Sequence, residues 1–439
     1  MPPDTVAVLP IPPIGPPARL RLPRPLRWTL DNGLRVIAIP RPGMPQVVMR
    51  LVLPAGSAAD PPEYPGTASL VGHLLTEGTA ALTADELHAR LDLLGAAIHP
   101  HVSHDFAEVE TVFLRETLAE GVRLLADVVT RPGFPESETE RVRAESLDAI
   151  LARDDEPSNV ADDRTALEVF GADHPYGHPS FGTPRGVASV PREALAAFHA
   201  ERYRPRGAFL VASGELDADE LRALLAEAFA HWTGQAPPVR YPAGPPPVPR
   251  AGGTVLVEWE DAAQSEIRIA GIGLDRRTPE WFAGGIANYV LGGSTITGRL
   301  GANLREDKGW TYGVRSTFHA GQAIGGWVAE TAVDVEVTAD AVAEMVGEMR
   351  RMATEAVPED ELRRAKDALM LSLPRVFETP AGVASRLATI EAYGLPHDWW
   401  DRFPAAVEAV TADDVREMAR RHFDPARLVR VVVGGGIEE

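Results

Sequence analysis

Residues Pro65 to Thr79 read PGTASLVGHLLTEGT, and this stretch gives the first indication of the fold. Its leucines and valine recur at the spacing of one helix face. Thr67 is a candidate N-cap, and Gly78 stands where a helix would end. The stretch therefore predicts a buried helix that carries His73 and ends in a glycine turn.

The end of this stretch, HLLTEGT from His73, resembles the end of a zinc-binding motif, His-Met-Leu-Phe-Lys-Gly-Thr. That motif belongs to the pitrilysin/insulysin-type (inverzincin) zinc metallopeptidases, whose helix carries His-x-x-Glu-His. Residues four apart share a helix face, so two imidazoles hold one zinc, and the Glu activates the metal-bound water. The chain resembles their mitochondrial-processing-peptidase-like bacterial subgroup.

The residues with a chemical role differ from the motif at every position but one. His73 falls on the second His, while Ser69 falls on the first His and Gly72 on the Glu. The family's remaining ligand, a Glu on a later helix, corresponds to Ala149 in ESLDAILARDDEPS. Because catalytic zinc takes three protein ligands, the resemblance implies a degenerate site and no zinc in this chain. His73 is then expected to be a buried histidine with hydrogen-bond partners.

The composition is that of an ordinary globular protein of 439 residues, long enough for two or more domains. Lys and Arg number 43 against 63 Asp and Glu, which gives a net charge of −20. Such a surface repels nucleic acid and anionic membranes. It suits basic or extended peptides if the excess lines a cavity, and it equally serves solubility. With no cysteine, disulfides, thiolate metal sites and a Cys nucleophile are excluded.

No membrane or export segment is expected. No stretch approaches the roughly eighteen apolar residues that span a bilayer. The first residues, MPPDTVAVLPIPPIGPP, lack a basic region, and prolines interrupt their apolar run, so they do not form a signal peptide. We therefore expect a cytoplasmic protein with neither a membrane nor a nucleic acid as partner.

Strand and helix patterns are mixed along the first half. RWTLDNGLRVIAIP, from Arg27, holds Asn32-Gly33 between two alternating segments and predicts a tight hairpin. QVVMRLVLPAGS predicts a third strand, and AFLVASGELDADELRALLAEAFAHW a strand followed by a helix. Antiparallel hairpins together with helices favour the α+β class. Further helices are predicted at 84–94, 118–129, 136–153 and 192–203.

The second half repeats the first. SVPREALAAFHAERYRPRGAFLVASGEL, from Ser189, matches AVTADDVREMARRHFDPARLVRVVVGGG, from Ala409, in layout: a capped helix, an aromatic residue, a proline and an apolar strand. FPESETERVRAESLDAI likewise resembles VPEDELRRAKDALMLSL. Two such matches indicate a duplication, with a period too long for a solenoid. The resemblance implies two homologous α/β sandwich halves joined by a linker, forming a clamshell with a partner chain.

The most family-like segment is VLGGSTITGRLGANLREDKGWTYGVRSTF, from Val290. It resembles the family's Leu-Gly-Gly…Arg-Leu…Leu-Arg-Glu-x-Lys-Gly-x-x-Tyr stretch. By that resemblance Arg305 and Tyr312 are catalytic and substrate-binding, and Gly292 and Gly293 are substrate-binding. The local pattern places Arg305 in a last helical turn, makes Gly309 the helix stop and starts a strand at Tyr312.

A guanidinium and a phenol aimed at a scissile carbonyl stabilise its developing negative charge, and losing one such donor costs about 3 kcal/mol. The alternative makes Arg305 a helix-end cation and Tyr312 a core aromatic. The matched segment favours the functional interpretation. The Gly-rich loop of the mitochondrial non-catalytic subunit is represented here only by GGSTITG.

Other histidines offer alternative sites. His99, His101 and His104 form a possible replacement metal cluster, because the first two share a strand face. No acidic partner is fixed relative to them, so surface or cavity histidines are the favoured reading. His174 and His178 flank DHPYGHP, which packing and turn formation explain better than ligation. No Walker loop, Rossmann fingerprint or Gly-x-Ser-x-Gly elbow is visible.

These observations divide the chain into four segments: a proline-rich extension (1–26), an N-terminal domain with the degenerate zinc motif (27–235), a stiff linker APPVRYPAGPPPVPRAG (236–252), and a C-terminal domain with the Arg/Tyr pair (253–439). The resemblance implies a subunit that is inactive alone. Its expected partner is a homologous subunit with an intact His-x-x-Glu-His, which holds the zinc, and its substrate is a peptide or unfolded polypeptide. The alternative is a catalytically inert scaffold or peptide-binding protein of the same fold.

Overall fold

The computed structural model describes residues 24–242 and 250–434, together with Gly15, Gly244 and Val248. Most of the predicted N-terminal extension, part of the predicted linker and the last glycines therefore lie outside the described residues. Within the described ranges no helix is both long enough and apolar enough to cross a membrane.

The strands form two mixed sheets, each of which contains a parallel pair among antiparallel neighbours. The first sheet is six-stranded and has the order β1-β2-β6-β3-β5-β4, and the second is five-stranded with the order β7-β11-β8-β10-β9. The strands are β1 Leu26–Thr29, β2 Arg35–Pro40, β3 Gln46–Leu53, β4 Ala97–Val102, β5 Ala107–Leu114, β6 Phe209–Gly214, β7 Thr254–Glu258, β8 Gln264–Ile272, β9 Val314–His319, β10 Gly326–Asp334 and β11 Val429–Gly434.

The helices lie on the faces of these sheets. Two π-helical segments, Tyr289–Gly293 and Ala302–Asp307, flank α10. The helices are α1 Thr67–Leu74, α2 Ala84–Leu94, α3 Leu118–Thr130, α4 Glu136–Asp154, α5 Pro157–Phe170, α6 Pro184–Ser189, α7 Arg192–Arg202, α8 Ala218–Ala228, α9 Trp281–Asn288, α10 Arg299–Gly301, α11 Thr338–Thr354, α12 Glu359–Val376, α13 Pro380–Tyr393, α14 Trp399–Ala409 and α15 Ala412–His422.

The internal repeat is visible in the strand order. Without β1, the first sheet reads β2-β6-β3-β5-β4, and the second repeats that order as β7-β11-β8-β10-β9. The matched sequences form equivalent elements, since α7 leads through buried Tyr203 into β6 and α15 leads through buried Phe423 into β11. The α+β class and the two homologous halves are thus confirmed. The residue boundaries assigned to the domains stay a prediction.

Both faces of each sheet are covered by helices. Alternate residues of a strand point to opposite faces, so each strand packs against two sets of helices. In β2, Val36 and Ala38 pack on helices of the same half. Ile37 and Ile39 pack instead against α12 and α13 of the other half. The second sheet also packs against a helix of the other half, because valines of β11 contact α5 of the first half. The halves therefore exchange helices, and each completes the core of the other.

Local predictions mostly agree with the structure. The hairpin around Asn32-Gly33 forms, with Thr29 opposite Arg35 and Gly33 at φ +95°. Helix α1 is buried as predicted, but Thr67 is not its N-cap. Gly66 holds that position, and the Asp60 carboxylate, six residues upstream, accepts hydrogen bonds from the backbone N–H of Gly66 and Ala68 at 2.7 Å.

Candidate functional site

A cavity of about 320 Å³ opens beside α1, and we call it the His73 cavity. Ser69 and His73 reach it from α1 because they are four residues apart on one helix face. Ala149 reaches it from α4. The three positions that align with the family's zinc ligands therefore line one cavity. The cavity is lined by Ser69, Leu70, His73, Pro100, His101, Val102, Ser146, Ala149, Ile150, Arg153, Ser180 and Phe181.

Gly72 lies behind the cavity wall rather than on it. It is buried, and a Cβ added there would lie 2.6 Å from Cγ2 of Val102 on β4. The side chain of valine is stiff at χ1, so it cannot yield easily. Helix α1 and strand β4 thus approach too closely for any larger residue at position 72.

His73 is not the buried, hydrogen-bonded histidine that the sequence predicts. Its side chain is exposed toward the cavity, and its imidazole makes no hydrogen bond to a described residue. Partial desolvation by the surrounding protein lowers the pKa of the imidazole, and the nearby Glu77 and Glu145 oppose that shift. Both carboxylates pair with Arg141.

Arg153 is a cavity residue that the sequence interpretation missed. It follows Ala149 by one helical turn on α4, and that spacing is the signal that would have placed it on the same face. Its guanidinium donates to Asn159 Oδ1 at 2.9 Å and to Asp163 Oδ1 at 3.2 Å. It also lies over the ring of Phe181, 4.8 Å from the centroid.

Arg305 and Tyr312 lie in the second half and do not line the His73 cavity. Arg305 is in the π-helical last turn, and Gly309 stops that turn at φ +66° by donating to the Arg305 carbonyl at 3.1 Å. The Arg305 side chain is 37% exposed, with Glu306 at 3.6 Å as its ion partner.

Tyr312 is 93% exposed and makes no hydrogen bond to a described residue. It lies in the loop before β9, which begins at Val314, so the predicted strand start is two residues early. The alternative reading of Tyr312 as a core aromatic is wrong.

The two glycines of this segment differ in position. Gly292 is buried, and a Cβ there would lie 2.8 Å from Oγ of Ser316 on β9. Close packing of the π-helical segment against the sheet therefore explains that glycine by itself. Gly293 is exposed and is the one of the pair that a ligand could reach.

The other candidate histidines lie in two kinds of environment, exposed on a strand or held in a loop. His99 and His101 are exposed on β4, and a ring nitrogen of His104 lies 2.7 Å from the His178 carbonyl oxygen. His174 is 3% exposed, and its Nδ1 accepts from the Tyr176 N–H at 3.0 Å, which caps the turn Pro175–Gly177. The prediction of packing and turn formation for this loop is confirmed.

A larger cavity of about 880 Å³ lies between the two halves. Its walls come from both sheets and from α5 and α13. Neither His73 nor the Arg305/Tyr312 pair lines it. Helices that each half places on the sheet of the other line it, and the sequence did not indicate it.

Two family models match the chain in the regions just described. Residues 35–177 match the model described as insulinase (peptidase family M16), and residues 189–369 match the model described as peptidase M16 inactive domain. The chain belongs to peptidase family M16. The resemblance predicted from HLLTEGT and the Arg305 segment is therefore confirmed.

Relatives in this M16 family cover nearly the whole chain. A protein of Mycobacterium tuberculosis named as an uncharacterized zinc protease is 28% identical over 422 residues, 93% of each chain. The mitochondrial-processing peptidase subunit beta of Saccharomyces cerevisiae is 22% identical over 424 residues, 92% of this chain and 90% of that one. A solved structure of a peptidase M16 inactive domain from Pseudomonas fluorescens has a TM-score of 0.87 at 24% identity, covering 94% of this chain and 98% of that one.

The zinc that the M16 relatives' names imply does not fit the residues present in the His73 cavity. Among the lining residues only His73 and His101 are conventional zinc ligands, and no carboxylate is present. The part of the chain that the structure describes holds no group of three or more His, Cys, Asp or Glu able to take a metal. The Arg153 guanidinium further disfavours a cation there by charge repulsion.

The cavity geometry predicts how a zinc site could be restored. We expect Ser69→His combined with Ala149→Glu to bind zinc, because both new ligands then face His73 in one cavity. Isothermal titration with zinc measures this directly. The matched control is Ser69→His with Ala149→Gln, which supplies no carboxylate and should bind at least about 10-fold more weakly. Equal affinities in the two variants would show that position 149 does not face His73.

Proposed function

We propose that this chain is the non-zinc-binding subunit of a heterodimeric zinc metalloendopeptidase. In this proposal the partner is a homologous M16 subunit with an intact His-x-x-Glu-His, and it holds the zinc. This chain supplies Arg305 and Tyr312 to the composite site and forms half of the chamber that encloses a peptide.

The observation that carries the proposal is the exposure of Tyr312. A tyrosine that is 93% exposed contributes little to the packing of its own chain, and the Arg305 side chain is 37% exposed. Both side chains remain available as donors to a second molecule. Support also comes from the yeast relative, which is named as a subunit of a processing peptidase.

Within the proposal, each half of the chemistry comes from a different chain. The partner's zinc would supply the activated water. The guanidinium of Arg305 and the phenol of Tyr312 would donate hydrogen bonds to the carbonyl oxygen of the scissile peptide bond as negative charge develops on it. The acidic surface, with a net charge of −20, would favour basic or extended polypeptides.

Affinity purification of the tagged chain from its native host tests the pairing. The expected result is a co-purifying chain of similar size with His-x-x-Glu-His, about one zinc per heterodimer, and peptide cleavage by the eluate. The recombinant chain alone should hold no stoichiometric zinc and should not cleave peptides. Recovery of this chain alone, metal-free and inert, would favour the inert scaffold instead.

A further inference from the structure

The His73 cavity is lined by hydrogen-bond donors, whereas a metal site is lined by electron-pair donors such as carboxylates. Its polar lining consists of two histidines, one arginine and three serines, without any Asp or Glu. Each of these groups can donate a hydrogen bond, and the arginine is permanently charged. The chain as a whole, by contrast, has a net charge of −20.

We propose that the His73 cavity binds a carboxylate of a peptide ligand, with Arg153 as the charged anchor and Ser69, Ser180 and His73 as neutral donors. The inference rests on the proposed function only in taking the ligand to be a peptide. It assigns this surface a positive charge where a zinc peptidase would place the metal.

Unfilled hydrogen-bonding capacity supports this assignment. The Nε–H of Arg153 is buried and has no acceptor among the described residues. The hydroxyls of Ser69 and Ser180 make no hydrogen bonds to described residues either, whereas Ser146 donates to the Val142 carbonyl at 2.7 Å. A buried donor without an acceptor is costly, so a ligand oxygen in the cavity would remove that cost.

The guanidinium of Arg153 is fixed in its orientation by neighbouring residues. Asn159 and Asp163 fix two of its nitrogens from α5, and the ring of Phe181 covers one face of the guanidinium. Asp163 offsets part of the charge at 3.2 Å, so the buried Nε–H of Arg153 is the guanidinium donor that has no acceptor among the described residues. A fixed guanidinium loses less side-chain entropy on binding than a free one.

The position of the cavity favours a peptide over a small free anion. Pro100, His101 and Val102 of β4 form one wall, and β4 is at the edge of its sheet. Edge strands present unpaired backbone groups to which an extended chain can add. A side-chain carboxylate or a C-terminal carboxylate of that chain would then reach the cavity.

Fluorescence anisotropy with the full-length chain alone tests the inference. The probes are three labelled peptides of one sequence: one with an internal Glu and an amidated C-terminus, one with Gln and a free C-terminus, and one with Gln and an amidated C-terminus. We expect the first or second peptide to bind at least about 10-fold more tightly than the third, and the better one identifies the source of the carboxylate.

Ala149→Glu against Ala149→Gln is the decisive comparison, because position 149 is exposed on α4 and neither change should prevent folding. The added carboxylate should abolish the preference, whereas the neutral isostere should keep it. Arg153→Gln should also abolish it, with the exposed Arg402→Gln of the other half as control. Equal binding of the three peptides, or equal behaviour of the two Ala149 variants, would overturn the inference. Because no partner is needed, a missing heterodimer would not affect the result.

Discussion

Replacing Tyr312 with Phe in the proposed heterodimer is expected to lower kcat/KM for peptide cleavage by about 100-fold. The change removes one hydroxyl, and the loss of one donor to a developing oxyanion costs about 3 kcal/mol. Because the Tyr312 side chain is 93% exposed, its phenol contributes almost nothing to the folded chain. The free energy of unfolding should therefore change by less than about 0.5 kcal/mol.

Arg305→Met should give a loss of similar size, and the double variant should lose less than the product of the two if both groups donate to one oxygen. Steady-state kinetics on the reconstituted assembly measures all three. Tyr64→Phe is the matched control, because Tyr64 is a partly exposed tyrosine of the other half. Unchanged cleavage by the Tyr312 variant would exclude the catalytic role and leave the scaffold reading.

Repeated and strongly patterned segments could be predicted from the sequence. Helix α2 has the predicted bounds Ala84 and Leu94, because Thr83 and Glu86 form a capping box and Gly95 ends the helix in the left-handed region. The hairpin, β3, β6 and α7 likewise follow local rules. Each of these elements buries one apolar face within its own half, and there local pattern and tertiary structure agree.

Helices α5 and α13 were not predicted, and both cross to the other half. Helix α5 contacts the second sheet through Ala161 and Val169, which are eight residues apart. Two such widely spaced apolar residues give little helical periodicity in the sequence. End signals were present, since Pro157 stands in the first turn of α5 and Pro380 in that of α13. That each helix covers the opposite sheet depends on long-range packing, which local sequence does not encode.

The site could be predicted only in part for a related reason. The helical spacing of Ser69 and His73, and the duplication that sets the halves apart, follow from the sequence. The exposure of His73 does not, because it depends on how β4 and α4 pack against α1. Arg153 carries no motif of its own, and only its spacing of one helical turn from Ala149 indicates that it shares that helix face.

A buried carboxylate joins the two halves in addition to the exchanged helices. Asp105 is 7% exposed, and its Oδ1 accepts from the hydroxyls of Tyr176 and Tyr241, each at 2.6 Å. Its Oδ2 accepts from the backbone N–H of Gln322 in the second half at 2.9 Å. Burial and the nearby carboxylate raise the pKa of both phenols, so they stay protonated donors.

Asp105→Ala is expected to destabilise the protein by about 4 kcal/mol. The change removes three charge-assisted hydrogen bonds and leaves partly buried phenols without an acceptor, and each unpaired donor of this kind costs about 1–3 kcal/mol. The midpoint of guanidinium denaturation, followed by tryptophan fluorescence, measures the loss. Asp173→Ala, in an exposed position of the Tyr176 loop, is the matched control and should stay within about 0.5 kcal/mol of the native chain.

The site of the loss can be resolved further, because the Asp105 contact joins two halves that exchange helices. Tyr241→Phe should cost less than Asp105→Ala, and the two together should cost less than their sum, since they share one hydrogen bond. Hydrogen exchange at the Gln322 amide should accelerate in Asp105→Ala, because that N–H loses its acceptor. A variant that unfolds like the native chain, with the Gln322 amide still protected, would show that the exchanged helices hold the halves together without this carboxylate.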